Sequence, residues 1–309
     1  MGSISKRRRE HFEVTNEDRI SNLPTSLIGH ILSFLPTKKA VATSVLSTKW
    51  KYLWTSITIL DFDDGLVHVS TTPRKDLQKF RLNCTGIYDV SHVNVWVSTA
   101  LSRNPRELNL SNIGCLPREL YACRSLVVLK LCGTPYRLLD LSIPTLICLR
   151  SLKILVIESV VFLDDDSIYR LFSSCHVLED LSVELCDWRN ISVFNISAPN
   201  LKSLTIKCRT WTNVSGKYKI VLNTPNLQDI KYEDYVAAGY SGNKLNGIVK
   251  ADISFVKTFP VRDGYKENLA IAEFVERISK AQWLHLSNYS IEVSLLNSVY
   301  LFLMFFFFF

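Results

Sequence analysis

The residue types that could do chemistry are spread along this chain without the spacings that catalysis or metal binding requires. The eight cysteines form no Cys-x-x-Cys pair, and none of the six histidines stands at ligand spacing beside them. The run Asp164–Asp166 could supply oxygen ligands to a divalent cation, but acidic residues also favour the first turn of a helix. The stretch GYSG, residues 239–242, only approaches the Gly-x-Ser-x-Gly turn of serine hydrolases. We therefore predict a non-enzyme without a catalytic residue, a metal or a cofactor.

The positive charge of the chain is most concentrated near its start. Of 309 residues, 47% are hydrophobic and 21% are charged, which is typical of a globular protein, and the formal net charge is +7. The basic run Lys6–Arg9 is either a nuclear-import signal or a solvated tail. No basic face interleaved with aromatic residues accompanies it, so nucleic acid is not an expected partner. Because no apolar core follows the run as in a secretory signal, we expect a reducing compartment, the nucleus or the cytoplasm.

A seven-residue pattern with apolar residues at its second, fifth and seventh positions recurs through the middle of the chain. It is clearest in SLVVLKL, SLKILVI, VLEDLSV, NLKSLTI and NLQDIKY, whose starts lie 26, 26, 23 and 26 residues apart. Weaker copies start at residues 57, 77, 105, 248 and 281. This period and pattern are the signature of leucine-rich repeats. The pattern predicts a parallel sheet in which the central and last apolar residues of each strand point inward.

The residues that flank the central apolar position of each predicted strand should face solvent, because side chains alternate along a strand. These residues are mixed in charge and include an aliphatic patch, which is typical of a surface that binds a protein. The positions that we predict to contact a bound protein are Val128, Lys130, Ile154, Val156, Asp180, Glu184, Lys207 and Lys231.

Residues 23–54 contain helical patterns with more apolar side chains than so small a unit can bury. The stretch LIGHILSFLP, residues 27–36, has apolar residues at helical spacing and ends in a proline. A second pattern spans residues 40–46, and a third turn carries Trp50 and Trp54. Three short helices of this kind need a further surface to cover them, either the rest of the chain or a partner protein.

The order of these features, Leu-Pro, LIGHILSFLP and AVATSVLSTKWKYLW, resembles the F-box of plant F-box proteins with leucine-rich repeats. The resemblance covers residues 17–60 and implies a three-helix domain that binds the Skp-type linker subunit of an SCF-type cullin-RING ubiquitin ligase. The chain would then be a substrate receptor, whose repeats capture a target protein for ubiquitination. The positions that the resemblance assigns to the linker subunit are Leu23, Pro24, Ile31, Leu32, Leu35, Pro36, Val41, Val45, Leu46 and Trp50. For the last four of these, the sequence does not separate partner contact from core packing.

The predicted fold class is therefore α/β, with a three-helix F-box at residues 17–60 and a leucine-rich-repeat solenoid at residues 61–290. The solenoid should carry parallel strands on its concave face and irregular helices and loops on its convex face. Residues 1–16 are predicted as a basic disordered tail. Residues 291–309 are predicted as an atypical or truncated apolar tail without the C-terminal FBD region of such plant proteins.

Two rival hypotheses stay open on the sequence alone. The first is a repeat scaffold outside any ligase, in which the helices merely cap the first repeat. The second is a receptor anchored in a membrane through the uncharged residues 293–309, whose 17 residues stand at the lower limit for a membrane span. The sequence favours the ligase receptor over both, so a membrane is not the expected partner.

Overall fold

The structure is a computed structural model that describes residues 22–63, 76–86, 89–134, 138–188, 190–208, 218–256, 264–287 and 290–291. The chain divides into two compact units between Ile57 and Thr58. The predicted basic tail, and all but the first residue of the predicted apolar tail, lie outside the described residues.

The first unit consists of short helices, two of which are each preceded by a proline. Its elements are α1 (Thr25–Ser33), α2 (Thr37–Ala42), a 3-10 helix (Thr43–Val45) that continues α2, and a second 3-10 helix (Trp50–Ser56). Pro24 and Pro36 occupy the positions just before α1 and α2, where the missing N–H leaves no helical hydrogen bond unmade. The third predicted helix is thus present in 3-10 form.

The second unit is built on ten parallel strands that form one sheet. In sheet order they are β1 (Ile59–Asp63), β2 (Lys79–Asn83), β3 (Glu107–Ser111), β4 (Val128–Cys132), β6 (Ile154–Glu158), β8 (Asp180–Glu184), β10 (Ser203–Cys208), β12 (Asp229–Tyr235), β14 (Lys250–Val256) and β15 (Trp283–Leu286). Every copy of the seven-residue pattern, strong or weak, supplies one of these strands. The prediction of a parallel repeat sheet is therefore confirmed.

The register of the sheet places equivalent repeat positions side by side. Leu129 of β4 pairs with Leu155 of β6, which pairs with Leu181 of β8. These central residues are at most 1% exposed, so the apolar positions stack into a continuous core ladder. Burial alternates with exposure along each of these strands, as the period of two requires.

The segments that return from one strand to the next form a second layer. Its helices are α3 (Val90–Leu101), α4 (Asp165–Ser174), α5 (Gly264–Ile278) and a 3-10 helix (Arg118–Ala122). Its strands are β5 (Leu139–Leu141), β7 (Val160–Phe162), β9 (Val193–Ser197), β11 (Lys219–Asn223) and β13 (Gly239–Gly242). Strand β5 pairs with β7, and β11 lies between β9 and β13 in a second small sheet. None of the described helices is both long and apolar enough to cross a membrane.

The GYSG stretch forms β13, and the fold requires its second glycine. Gly242 has a φ of +112°, and a Cβ there would lie 2.1 Å from the carbonyl oxygen of Leu222. Only glycine fits this close approach of two backbones.

Aromatic side chains fill the space between the layers. Trp188 stacks on Tyr218 with ring centroids 5.5 Å apart and meets Phe194 edge to face at 4.2 Å. A second cluster joins Tyr232, Tyr240, Phe255 and Phe274 under the later strands. These rings bury large apolar areas where the return segments are irregular.

Candidate functional site

Helix α1 is apolar on two faces, and only one of them lies in the core. Ile28 and Leu32, four residues apart, are fully buried. Leu27, Ile31 and Phe34 form a second stripe at i, i+4 and i+7 spacing, and Phe34 is 75% exposed. A helix with an apolar stripe exposed to solvent has a surface suited to binding another protein.

The segment after α2 also exposes apolar side chains. Val45, at the end of the 3-10 helix, is 87% exposed, and Leu46 is 65% exposed. Lys49 donates from Nζ to the carbonyl oxygen of Leu23 over 2.8 Å, which ties the start of the unit to its third turn. We call the exposed apolar residues of the first unit the helical-unit face; it comprises Leu27, Ile31, Phe34, Leu35, Val41, Val45 and Leu46.

Eight of the ten positions predicted to meet the linker subunit are at least partly exposed, but two are not. Leu32 is fully buried and Trp50 is 4% exposed. The prediction that Leu32 faces a partner is wrong, because its side chain completes the core of the unit. Trp50 likewise belongs to the core, which decides between the two roles left open for it. The sequence-based set missed Phe34 and Leu27, although both share the helical stripe of Ile31.

The exposed face of the ten-stranded sheet, here called the sheet face, carries the outward residues that alternate with the buried ones along its strands. Towards its first strands, charges are paired within the chain: Lys79 with Glu107 at 2.8 Å and Arg81 with Asp61 at 3.4 Å. Pairing within the chain satisfies these groups, so they have little left to offer a partner.

Towards the later strands the charges are paired again. Lys207 lies 3.0 Å from Glu184, and Asp252 bridges Lys231 at 3.6 Å and His285 at 2.8 Å. The predicted target contacts Glu184, Lys207 and Lys231 therefore take part in ion pairs on the sheet itself.

The centre of the sheet face differs from both ends. The register places Val128, Ile154 and Asp180 side by side in one row, and Lys130 beside Val156 in the next. Neither Lys130 nor Asp180 forms an ion pair with a residue that the structure describes. We call these five residues the central patch; it joins an aliphatic surface to two unpaired charges of opposite sign.

The electrostatics of Asp180 suit a partner that carries a cation. Burial raises the pKa of its carboxyl group above the usual range, opposed by a hydrogen bond from Ser203 and the charge of Lys130. Because these favourable contacts do not offset the burial of the carboxylate, a positive group from a bound protein would stabilise its charged form.

Two of the three aspartates at residues 164–166, Asp164 and Asp165, have structural roles. Asp164 caps α4, because its carboxylate accepts a hydrogen bond from the Ser167 amide at 2.6 Å. The Asp165 carboxylate accepts from the amides of Ser192 at 2.9 Å and Val193 at 3.1 Å. In the described part of the chain, no group of three His, Cys, Asp or Glu side chains is arranged to hold a metal ion.

Comparison with known families agrees with this division of the chain. The family model for the F-box domain matches residues 20–62. The model described as "FBD-associated F-box protein At5g56370, LRR repeats" matches residues 93–251. The first match contains the helical-unit face, and the second contains the central patch.

Curated relatives give the same assignment. F-box/LRR-repeat protein At3g59200 of Arabidopsis thaliana is 33% identical over 91% of this chain, which spans 61% of that protein. F-box/LRR-repeat protein At4g14103 of the same plant is 32% identical over 90% of this chain, and the match covers 80% of that protein. F-box/FBD/LRR-repeat protein At5g56420 of Arabidopsis thaliana is 33% identical over 79% of this chain, and the match covers 61% of that protein.

The chain thus combines a helical unit that the F-box model matches with a parallel repeat sheet that the LRR model matches. The chain belongs to the plant F-box/LRR-repeat family. It spans less than two thirds of the length of some of its curated relatives and more of others.

Proposed function

We propose that this chain is a substrate-receptor subunit of an SCF-type cullin-RING ubiquitin ligase. The F-box would dock on a Skp-type linker subunit, and the repeats would hold a target protein for ubiquitination. The observation that carries the proposal is the match of residues 20–62 to the F-box domain, together with the helical-unit face that those residues expose. In this role the chain is a non-catalytic specificity subunit, since proximity to the ligase supplies the chemistry.

The helical-unit face has the composition that such docking requires. Its aliphatic and aromatic side chains would leave water on binding, at about 25 cal/mol per Å² of apolar surface. Only part of this free energy would appear as affinity, because association and side-chain ordering oppose it.

The central patch is the position at which we place the target. An apolar side chain of the target would cover Ile154 and Val156, while a carboxylate approaches Lys130 and a basic group approaches Asp180. Opposite charges at the two sides of an apolar anchor give both orientation and selectivity.

The first experiment is a binding measurement with a purified Skp-type subunit and the full-length chain. We expect the intact chain to bind and the variant Leu23→Ala/Pro24→Ala to lose most of its affinity while it stays folded. A matched control is Leu146→Ala, since Leu146 is exposed on the repeat unit, outside the helical-unit face.

Two results would contradict the proposal. A folded intact chain that does not bind the linker subunit would favour a repeat scaffold outside any ligase. Loss of solubility in the Leu23/Pro24 variant, with no selective loss of binding, would indicate that the helices only cap the first repeat.

We further propose that the protein works in the nucleus or the cytoplasm. The proposal rests on the basic run Lys6–Arg9, which lies outside the described residues. Fluorescence microscopy of the full chain fused to a reporter, with and without alanines at these four positions, would test it. Retention of the nuclear fraction by the alanine variant would show that the run is not the import signal.

A further inference from the structure

A second surface of the repeat sheet lies along the edge formed by the N-terminal ends of its parallel strands. Arg106, Val127, Lys153, Glu179 and Lys202 each stand one residue before a strand. Backbone hydrogen bonds join them in that order, such as Val127 N–H to Arg106 oxygen at 2.8 Å and Lys153 N–H to Val127 oxygen at 2.9 Å. These five residues therefore lie in sequence along one edge.

Cations dominate this edge. Lys153 and Lys202 hold Glu179 between them, at 2.7 and 2.8 Å, and their hydrogen bonds lower the pKa of that carboxyl group to about 2. The triad still keeps one positive charge in excess. Arg106 and Arg150 are exposed, and neither forms an ion pair with a residue in the described part of the chain.

These cations line a single open groove. The groove has a volume of about 830 Å³ and includes Arg106, Arg150 and Lys153, with Val127 and Val177 among its lining side chains. Arg124, which belongs to the adjoining cleft, is exposed and adds a further cation without an ion pair to a described residue. The sequence explains the placement of two of these arginines: Arg-Ser-Leu occurs at residues 124–126 and again at residues 150–152, one repeat later.

We propose that this groove, the basic-edge groove, binds an acidic extended segment of a partner protein. Guanidinium groups pair with carboxylates through two parallel N–H···O hydrogen bonds, which makes unpaired arginines selective for such side chains. The valines offer an apolar contact between the charges. The surface is distinct from the central patch and does not depend on docking to a linker subunit.

The geometry sets the length of the bound segment. The lining runs from Gln78, just before β2, to Val177, ahead of β8, so four strand spacings of about 4.8 Å make the groove about 19 Å long. An extended chain advances about 3.3 Å per residue, and about six residues therefore span it.

The lining residues favour a peptide over a nucleic acid. Single-stranded nucleic acids bind where aromatic side chains stack on the bases, and none of the described residues that line this groove is aromatic. Asp76 also lines it, so the carboxylates of the bound segment are expected beside Arg106, Arg150 and Lys153 and away from Asp76.

The test is fluorescence anisotropy with the full-length chain at 150 mM NaCl. The probe is a labelled 12-residue peptide whose central six residues alternate glutamate with leucine or serine, compared with the same peptide carrying glutamine for glutamate. We expect the glutamate peptide to bind at least tenfold more tightly. We expect Arg106→Gln/Arg150→Gln to weaken that binding at least tenfold, and 0.5 M NaCl to weaken it as well.

The matched control is Lys219→Gln/Lys244→Gln, which removes two exposed cations elsewhere on the repeat unit and should keep the affinity within twofold. Equal binding of both peptides, an unchanged affinity in the double-arginine variant, or tighter binding of a 12-nucleotide single strand would each overturn the proposal. If the double variant melts at a lower temperature, the single variant Arg150→Gln and the comparison of the two peptides on the intact chain decide the question.

Discussion

Val45 and Leu46 allow a quantitative test of the helical-unit face. Changing both to alanine removes two carbons from Val45 and three from Leu46, each worth about 0.8 kcal/mol when it leaves water. Since these residues are 87% and 65% exposed in the free chain, most of that free energy remains to be gained on binding. The double variant should lose about 3 kcal/mol of binding free energy, a rise of roughly 100-fold in Kd. Its free energy of unfolding should change by less than ~0.5 kcal/mol, because exposed side chains contribute little to the core.

The assay is isothermal titration calorimetry with a purified Skp-type subunit, paired with thermal unfolding of each variant. Leu32→Ala is the contrasting control: its side chain is fully buried, so it should cost about 2–5 kcal/mol of folding stability. A Val45/Leu46 variant that binds within threefold of the intact chain would refute the assignment of this face. A large drop in its melting temperature would refute the claim that the two residues lie outside the core.

Three further predictions concern the repeat unit. Burial raises the pKa of Asp234 to about 8, from 3.8, so the folded chain holds a proton that the unfolded chain releases. Its contribution to stability is complete below about pH 4 and is lost as the pH rises through 8. The variant Asp234→Asn should therefore show a weaker pH dependence of its melting temperature, measured at pH 5, 7 and 8.5. A pH dependence equal to that of the intact chain would contradict the raised pKa. Asp164→Ala should cost about 1 kcal/mol of unfolding free energy through loss of the cap of α4, whereas Asp166→Ala should cost less; equal losses in urea titrations would argue against the cap. Gly242→Ala should cost on the order of 2 kcal/mol or more, because of its positive φ and its contact with Leu222, and a variant as stable as the intact chain would disprove that close approach.

The repeat sheet could be predicted from the sequence because its signal is both local and periodic. The pattern of apolar residues in SLVVLKL predicts which side chains of β4 point inward, and each further copy predicts the same for its own strand. Even the weak copies, such as Ile57–Phe62, became strands, since an established sheet provides an edge on which a poor match can pair.

The features that the sequence did not reveal depend on contacts between distant residues. The ion pair of Lys207 with Glu184 joins neighbouring strands 23 residues apart, and only the register shows that each satisfies the other. The second-layer strands β9 and β11 were missed because their pattern is short and differs from the repeat motif. In α1, both faces are apolar, so periodicity alone could not show that Leu32 belongs to the core while Ile31 stays exposed.

The in-register pairing of the ten strands also determines how the protein comes apart. Each strand exchanges backbone hydrogen bonds only with the strands beside it. The stability of a repeat therefore depends on its interfaces with the neighbouring repeats. Among the described strands, β15 pairs only with β14, whereas β6 pairs with both β4 and β8 and must break two interfaces to open. We therefore expect amide exchange to be slowest at the middle of the described array. The central patch lies in that slowest part, so the surface that we assign to target recognition is held on the most persistent section of the molecule.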